Sequence, residues 1–98
     1  MSGFARLVYY NLGPGQRSAA EALTKELGPL IRSQNGCANV TFFGDDADGQ
    51  YGIFVLWDTQ AHADEAAAVV APRLERHLAG KVKAAPTRRL FEVMGGGI

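Results

Sequence analysis

The sequence predicts one α+β domain of βαββαβ order, a four-stranded antiparallel sheet carrying two helices and built to pair with a copy of itself across that sheet. Three observations predict it. Four short runs rich in aromatic and β-branched residues are separated by clusters of Gly, Pro and Asp. Two of the intervening segments carry apolar residues at three- and four-residue spacing. The strand runs are also apolar on both alternating faces, which is more surface than two helices can cover.

The first strand is expected over residues 4–11 (FARLVYYN), closed by the breakers Gly13-Pro14-Gly15. From Gln16 to Ser33 the apolar residues Ala20, Leu23, Leu27, Leu30 and Ile31 recur with helical period, with Arg17, Glu21, Lys25 and Arg32 between them. Pro29 removes one backbone donor, so this helix is expected to kink or end near Gly28-Pro29, with Asn35-Gly36 as the stop. Residues 37–44 (CANVTFFG) and 51–58 (YGIFVLWD) read as a hairpin around the polar turn Asp45 to Gln50.

Thr59 or Asp58 can cap the second helix, because a short side-chain oxygen accepts from the free N–H groups of the first turn. Its apolar stripe is Ala63, Ala66, Ala67, Val70, Leu74 and Leu78, and Gly80 stops it. The last strand is expected over residues 86–94 (PTRRLFEVM), with the proline tolerable at its start. The order is that of a ferredoxin-like fold, with residues 1–94 as one domain and residues 95–98 as a flexible Gly-rich tail.

Alternation places Tyr51, Ile53, Val55 and Trp57 on one side of the third strand and Gly52, Phe54 and Leu56 on the other. Val40 and Phe42 oppose Thr41 and Phe43, and Val8 and Tyr10 oppose Leu7 and Tyr9. Leaving the second face in water would cost on the order of 25 cal/mol per Å². Self-association through the sheet is therefore expected.

At 98 residues the chain holds one core. Ten basic residues balance ten acidic ones, so no global field collects nucleic acid or an anionic membrane, and the expected ligand is small. The lone Cys37 excludes an internal disulfide, fits a reducing cytoplasm and builds no thiolate metal site. Met1-Ser2-Gly3-Phe4 leads straight into strand-like sequence without the features of a signal peptide, and no apolar run approaches a membrane span. No Gly-rich phosphate loop, nucleophile elbow or metal-ligand cluster occurs, and neither metal nor cofactor is expected.

From Leu7 to Met94 the chain resembles the antibiotic-biosynthesis-monooxygenase family of dimeric α/β barrels. The resemblance is carried by Gly15 before the first helix, by Asn35-Gly36-Cys37-Ala38-Asn39-Val40, and by Ile53-Phe54-Val55-Leu56-Trp57-Asp58 ahead of the second helix. It implies a homodimer with facing sheets and a pocket in each subunit between sheet and helices. It also implies oxidation of a small phenolic or quinol-type aromatic substrate by O₂ without a cofactor. Some relatives degrade haem, using an Asn on the first strand and a Trp and a His on the second helix. Here those positions fall at Val8, at Ala66 and near Arg76 or His77, which disfavours haem chemistry.

An oxygenase of this type needs a base beside its substrate, and Tyr10 and His77 are the groups we assign to that role. Asn39, Trp57 and Asn11 are the expected substrate contacts, as polar or amphipathic groups on otherwise apolar strands. His62 is read as a surface residue, since the helix N-terminus disfavours an imidazolium and no carboxylate partner is evident. Arg88 and Arg89 face opposite sides of the last strand, so at most one of them serves a pocket.

The alternative function is a non-enzymatic dimeric module, ligand-binding or stress-related, on the same fold. RNA binding is disfavoured: Gly49-Gln50-Tyr51-Gly52-Ile53 lacks the leading basic residue and the second aromatic of the RNA-recognition signature.

Overall fold

Six elements follow one another in the expected order: β1 (Phe4–Asn11), α1 (Arg17–Arg32), β2 (Cys37–Asp45), β3 (Gln50–Trp57), α2 (Gln60–Leu78) and β4 (Thr87–Glu92). The computed structural model describes residues 3–82 and 85–96. Met1-Ser2, on which part of the reading of the N-terminus rests, and residues 97–98 of the expected tail lie outside them. The strands form one antiparallel sheet in the order β2-β3-β1-β4, which is the ferredoxin-like arrangement.

Both helices pack on the face that carries Val8, Tyr10, Ile53, Val55 and Trp57, and they contribute Leu23, Leu27, Ile31, Ala63, Ala66, Leu74 and Leu78 to the core. The other face carries Ala5, Leu7, Tyr9, Phe43, Phe54, Leu56 and Phe91, and among the described residues no helix packs over it; Ala5 and Leu56 are buried there, whereas Tyr9, Phe43 and Phe91 remain 39%, 41% and 39% exposed. The two-sided apolar pattern thus has one side filled within the chain and the other open.

Pro29 does not end the first helix, which runs through it to Arg32. The ring itself is exposed, while Leu27 and Ile31 on either side are buried to 0% and 2% exposure. An interior proline costs about 3 kcal/mol. Burying two such aliphatic side chains returns about 1.5–3 kcal/mol each. Packing therefore decides the outcome, and the Ser33 N–H closes the last turn on the Pro29 carbonyl at 3.0 Å.

The β2–β3 turn is pinned to the loop after β1. Gly49 adopts φ +77°, and a side chain there would run into the backbone of Gly13. That close approach lets the Leu12 N–H donate to the Gly49 carbonyl at 2.9 Å. At the opposite end of the sheet Thr59 caps α2, its hydroxyl accepting from the His62 N–H at 3.1 Å. Among the described residues no helix is long and apolar enough to cross a membrane.

Candidate active site

Four alanines on α2, Ala63, Ala66, Ala67 and Ala71, face the sheet where larger side chains would fill the space. The result is a cavity of about 370 Å³ between α2 and the sheet. Val8, Ile53, Val55 and Trp57 form its floor, Ile31, Val70 and Leu74 its walls, and Arg6 and Arg88 bring the charge.

Trp57 is 4% exposed, and its indole Nε1 is buried without a hydrogen-bond acceptor among the described residues. Leaving a buried donor unpaired costs about 1–3 kcal/mol. The Trp57 ring lines the cavity, while its Nε1 is shut off from solvent.

Arg6 and Arg88 reach the cavity from adjacent strands. In the β1–β4 register Arg6 opposes Leu90 and Arg88 opposes Val8, which makes the two arginines diagonal neighbours on the helix-covered face. Arg6 pairs with Asp64 of α2 at 3.6 Å; the Arg6 side chain is 20% exposed and that of Asp64 60%. Arg89 points the other way, its guanidinium lying 4.7 Å from the centre of the Phe91 ring.

The structure does not bring the five expected site residues together. Trp57 alone among them lines this cavity. Tyr10 lies farther along the sheet, stacked on Tyr51 with ring centres 6.1 Å apart, in a second groove of about 440 Å³ against α1. Burial, with Tyr51 adding to it, pushes the Tyr10 phenol up to about 12, so it stays protonated at neutral pH.

His77 faces α1, where its Nε2 lies 2.8 Å from Glu26 and Arg73 donates to the same carboxylate at 3.3 Å. The His77 hydrogen bond, followed by smaller contributions including that of Arg73, holds Glu26 below the usual carboxylate range. Asn11 is used by the turn: its Oδ1 accepts from the Gly13 N–H at 2.8 Å and its Nδ2 donates to Gln50 at 3.3 Å. Asn39 is exposed on the edge strand β2, beside Arg32 and Cys37.

His62 does have a carboxylate partner, contrary to the expectation: Asp58, four residues earlier, lies 2.7 Å from its Nδ1. That hydrogen bond raises the His62 pKa, outweighing desolvation, and lowers that of Asp58. Arg6 is the residue that sequence reasoning missed. A signal for it exists, since Arg6 shares the strand parity of the core residues Val8 and Tyr10.

No family model matches the sequence, and no curated protein matches it. Solved structures do match the fold over nearly its whole length. A protein of unknown function from Nitrosomonas europaea superposes with a TM-score of 0.81 at 19% identity, over 100% of this chain and 95% of that one. A candidate antibiotic biosynthesis monooxygenase from Caulobacter crescentus gives 0.79 at 10% identity, over 96% and 92%. The N63A variant of SnoaB, a cofactor-independent oxygenase from Streptomyces nogalater, gives 0.78 at 14% identity, over 96% and 95%. The chain therefore shares the fold of the antibiotic biosynthesis monooxygenases.

Proposed function

We propose that the chain is a cofactor-independent monooxygenase that oxidises a small phenolic or quinol-type aromatic in the cavity beneath α2, and that it works as a homodimer. The observation that carries this reading is the cavity itself, whose apolar walls include the Trp57 ring and whose charge comes from Arg6 and Arg88, a lining that suits a flat, oxygen-bearing aromatic ring. The fold shared with a cofactor-independent oxygenase supports it.

Among the described residues no His, Asp, Glu or Tyr lines the cavity. The substrate must then ionise through its own acidity, with Arg6 and Arg88 stabilising the anion and the proton passing to water at the mouth. An anthrone would react with O₂ at its ring CH₂ once that carbon is deprotonated. The ring carbanion transfers one electron to O₂, the radical pair closes a C–O bond, and the peroxide takes up a proton. Loss of water then turns the CH₂ into a carbonyl, one oxygen atom entering the product and the other leaving as water.

An oxygen electrode with 1,8-dihydroxyanthrone and a panel of dihydroquinones tests the reading. The expected result is protein-dependent uptake of one O₂ per product, with one ¹⁸O atom retained from ¹⁸O₂. The absence of acid–base side chains favours the second reading, a module that binds without turnover. Saturable binding with no O₂ uptake would select that reading.

The open sheet face supports the homodimer. Tyr9, Phe43 and Phe91 line an apolar surface of the kind that a second copy can cover.

A further inference from the structure

We infer that the cavity beneath α2 selects an aromatic ligand bearing a carboxylate, which Arg6 and Arg88 hold together at the mouth. This rests on the ligand-binding reading of the cavity and goes beyond it by assigning the ligand a charge.

Diagonal neighbours on paired antiparallel strands stand roughly 7–8 Å apart. Long guanidinium side chains from two such positions can close on one anion, as with Arg6 and Arg88. Their present partners are few. Among the described residues Arg88 makes no ion pair and no side-chain hydrogen bond, while Arg6 has only Asp64. The 3.6 Å contact is long, and Asp64 is mostly in solvent. Glu92, the one carboxylate of β4, lies on this face of the sheet but forms no ion pair among the described residues and does not line the cavity.

The mouth therefore holds two cations against one loosely held anion, beside walls that are otherwise apolar. A planar guanidinium fork matches a carboxylate in shape and charge, and an aromatic acid presents that group on a ring that the apolar walls accept. Asp64 then acts as a competitor for Arg6, displaced when the ligand acid arrives.

The test is calorimetric titration of the full chain with 2-naphthoate and its neutral counterpart 2-naphthamide, in the wild type, Arg88→Gln and Asp64→Asn. We expect naphthoate to bind at least about tenfold more tightly than the amide at low salt, in keeping with charge-assisted pairing. We expect Arg88→Gln to erase that preference, and Asp64→Asn to tighten naphthoate while leaving the amide unchanged. Equal affinities in the wild type overturn the charge assignment and leave the cavity reading standing. A preference that survives Arg88→Gln, or no gain in Asp64→Asn, also overturns it. Failure of both ligands to bind overturns the cavity reading along with it. Thermal melts of each variant separate these outcomes from unfolding.

Discussion

The ring of Phe43 occupies the space above Gly52, its cross-strand partner in the β2–β3 ladder, where any side chain would begin. Glycine in a central strand sacrifices side-chain packing and backbone entropy. Here it lets Phe43 reach across the open face of the sheet to Tyr9, with ring centres 6.1 Å apart at 79°. The platform that results is the surface we assign to the second subunit.

Gly52→Ala tests this arrangement directly. The new methyl meets the Phe43 ring. Overpacking of this kind typically costs about 1–3 kcal/mol, which a fall in urea midpoint would register. Adding Phe43→Leu removes the obstructing ring, so the double variant should lose less than the two single changes summed. Strict additivity would separate the two sites energetically and remove the explanation for the glycine.

Phe91→Glu places a charge on the same face at β4 without disturbing the core, since Phe91 is 39% exposed in the single chain. Sedimentation velocity should show the wild type at the mass of two chains and the variant shifted to one, with unchanged far-ultraviolet circular dichroism. A single-chain mass for the wild type would remove the dimer from the proposal.

What the sequence disclosed depended on how local the signal was. Strand parity is fixed by immediate neighbours, so the two faces of β3 were readable from Tyr51 to Trp57, including the division into Ile53 and Val55 on one side and Phe54 and Leu56 on the other. That the first helix continues past Pro29 is not legible locally, because the cost of the proline is local while the burial of Leu27 and Ile31 that offsets it is tertiary. The cavity was hidden for a related reason. Ala66 and Ala67 register in sequence as missing functional groups, and only the packed structure shows that their smallness leaves the space. His77 meets Glu26 across 51 residues of chain, and no spacing rule anticipates that contact.

The Asp58–His62 pair predicts a defined pH dependence. His62 titrates above its ordinary value of 6.5, so its share of stability is fully present below that value and is lost as pH rises through the raised one. Asp58 titrates below its ordinary 3.8, so its share is present above that value and is lost as pH falls through the lowered one. Both shares are complete only between the two ordinary values. The difference in melting temperature between wild type and Asp58→Asn should be widest at about pH 5–6 and close on the alkaline side of the His62 titration. Proton NMR of the His62 ring should place its midpoint above 6.5 in the wild type and lower in the variant. A midpoint unmoved by Asp58→Asn would show that the pair does not set it.

Trp57→Phe distinguishes a ligand-binding indole from one that only fills the core. The substitution deletes a buried donor that has no acceptor, a group that costs about 1–3 kcal/mol to bury unpaired. It also removes part of a large apolar ring, a loss of about 0.8 kcal/mol per buried CH₂ equivalent. The two terms oppose, so the unliganded variant should melt close to the wild type. Binding should respond differently. A ligand with an oxygen acceptor, such as 2-naphthol, should lose about tenfold in affinity, the value of one hydrogen bond. Naphthalene, which offers no acceptor, should bind both proteins alike. If the melting temperature instead falls sharply while both ligands bind unchanged, Trp57 serves the core, and the orphaned Nε1 carries no information about a substrate.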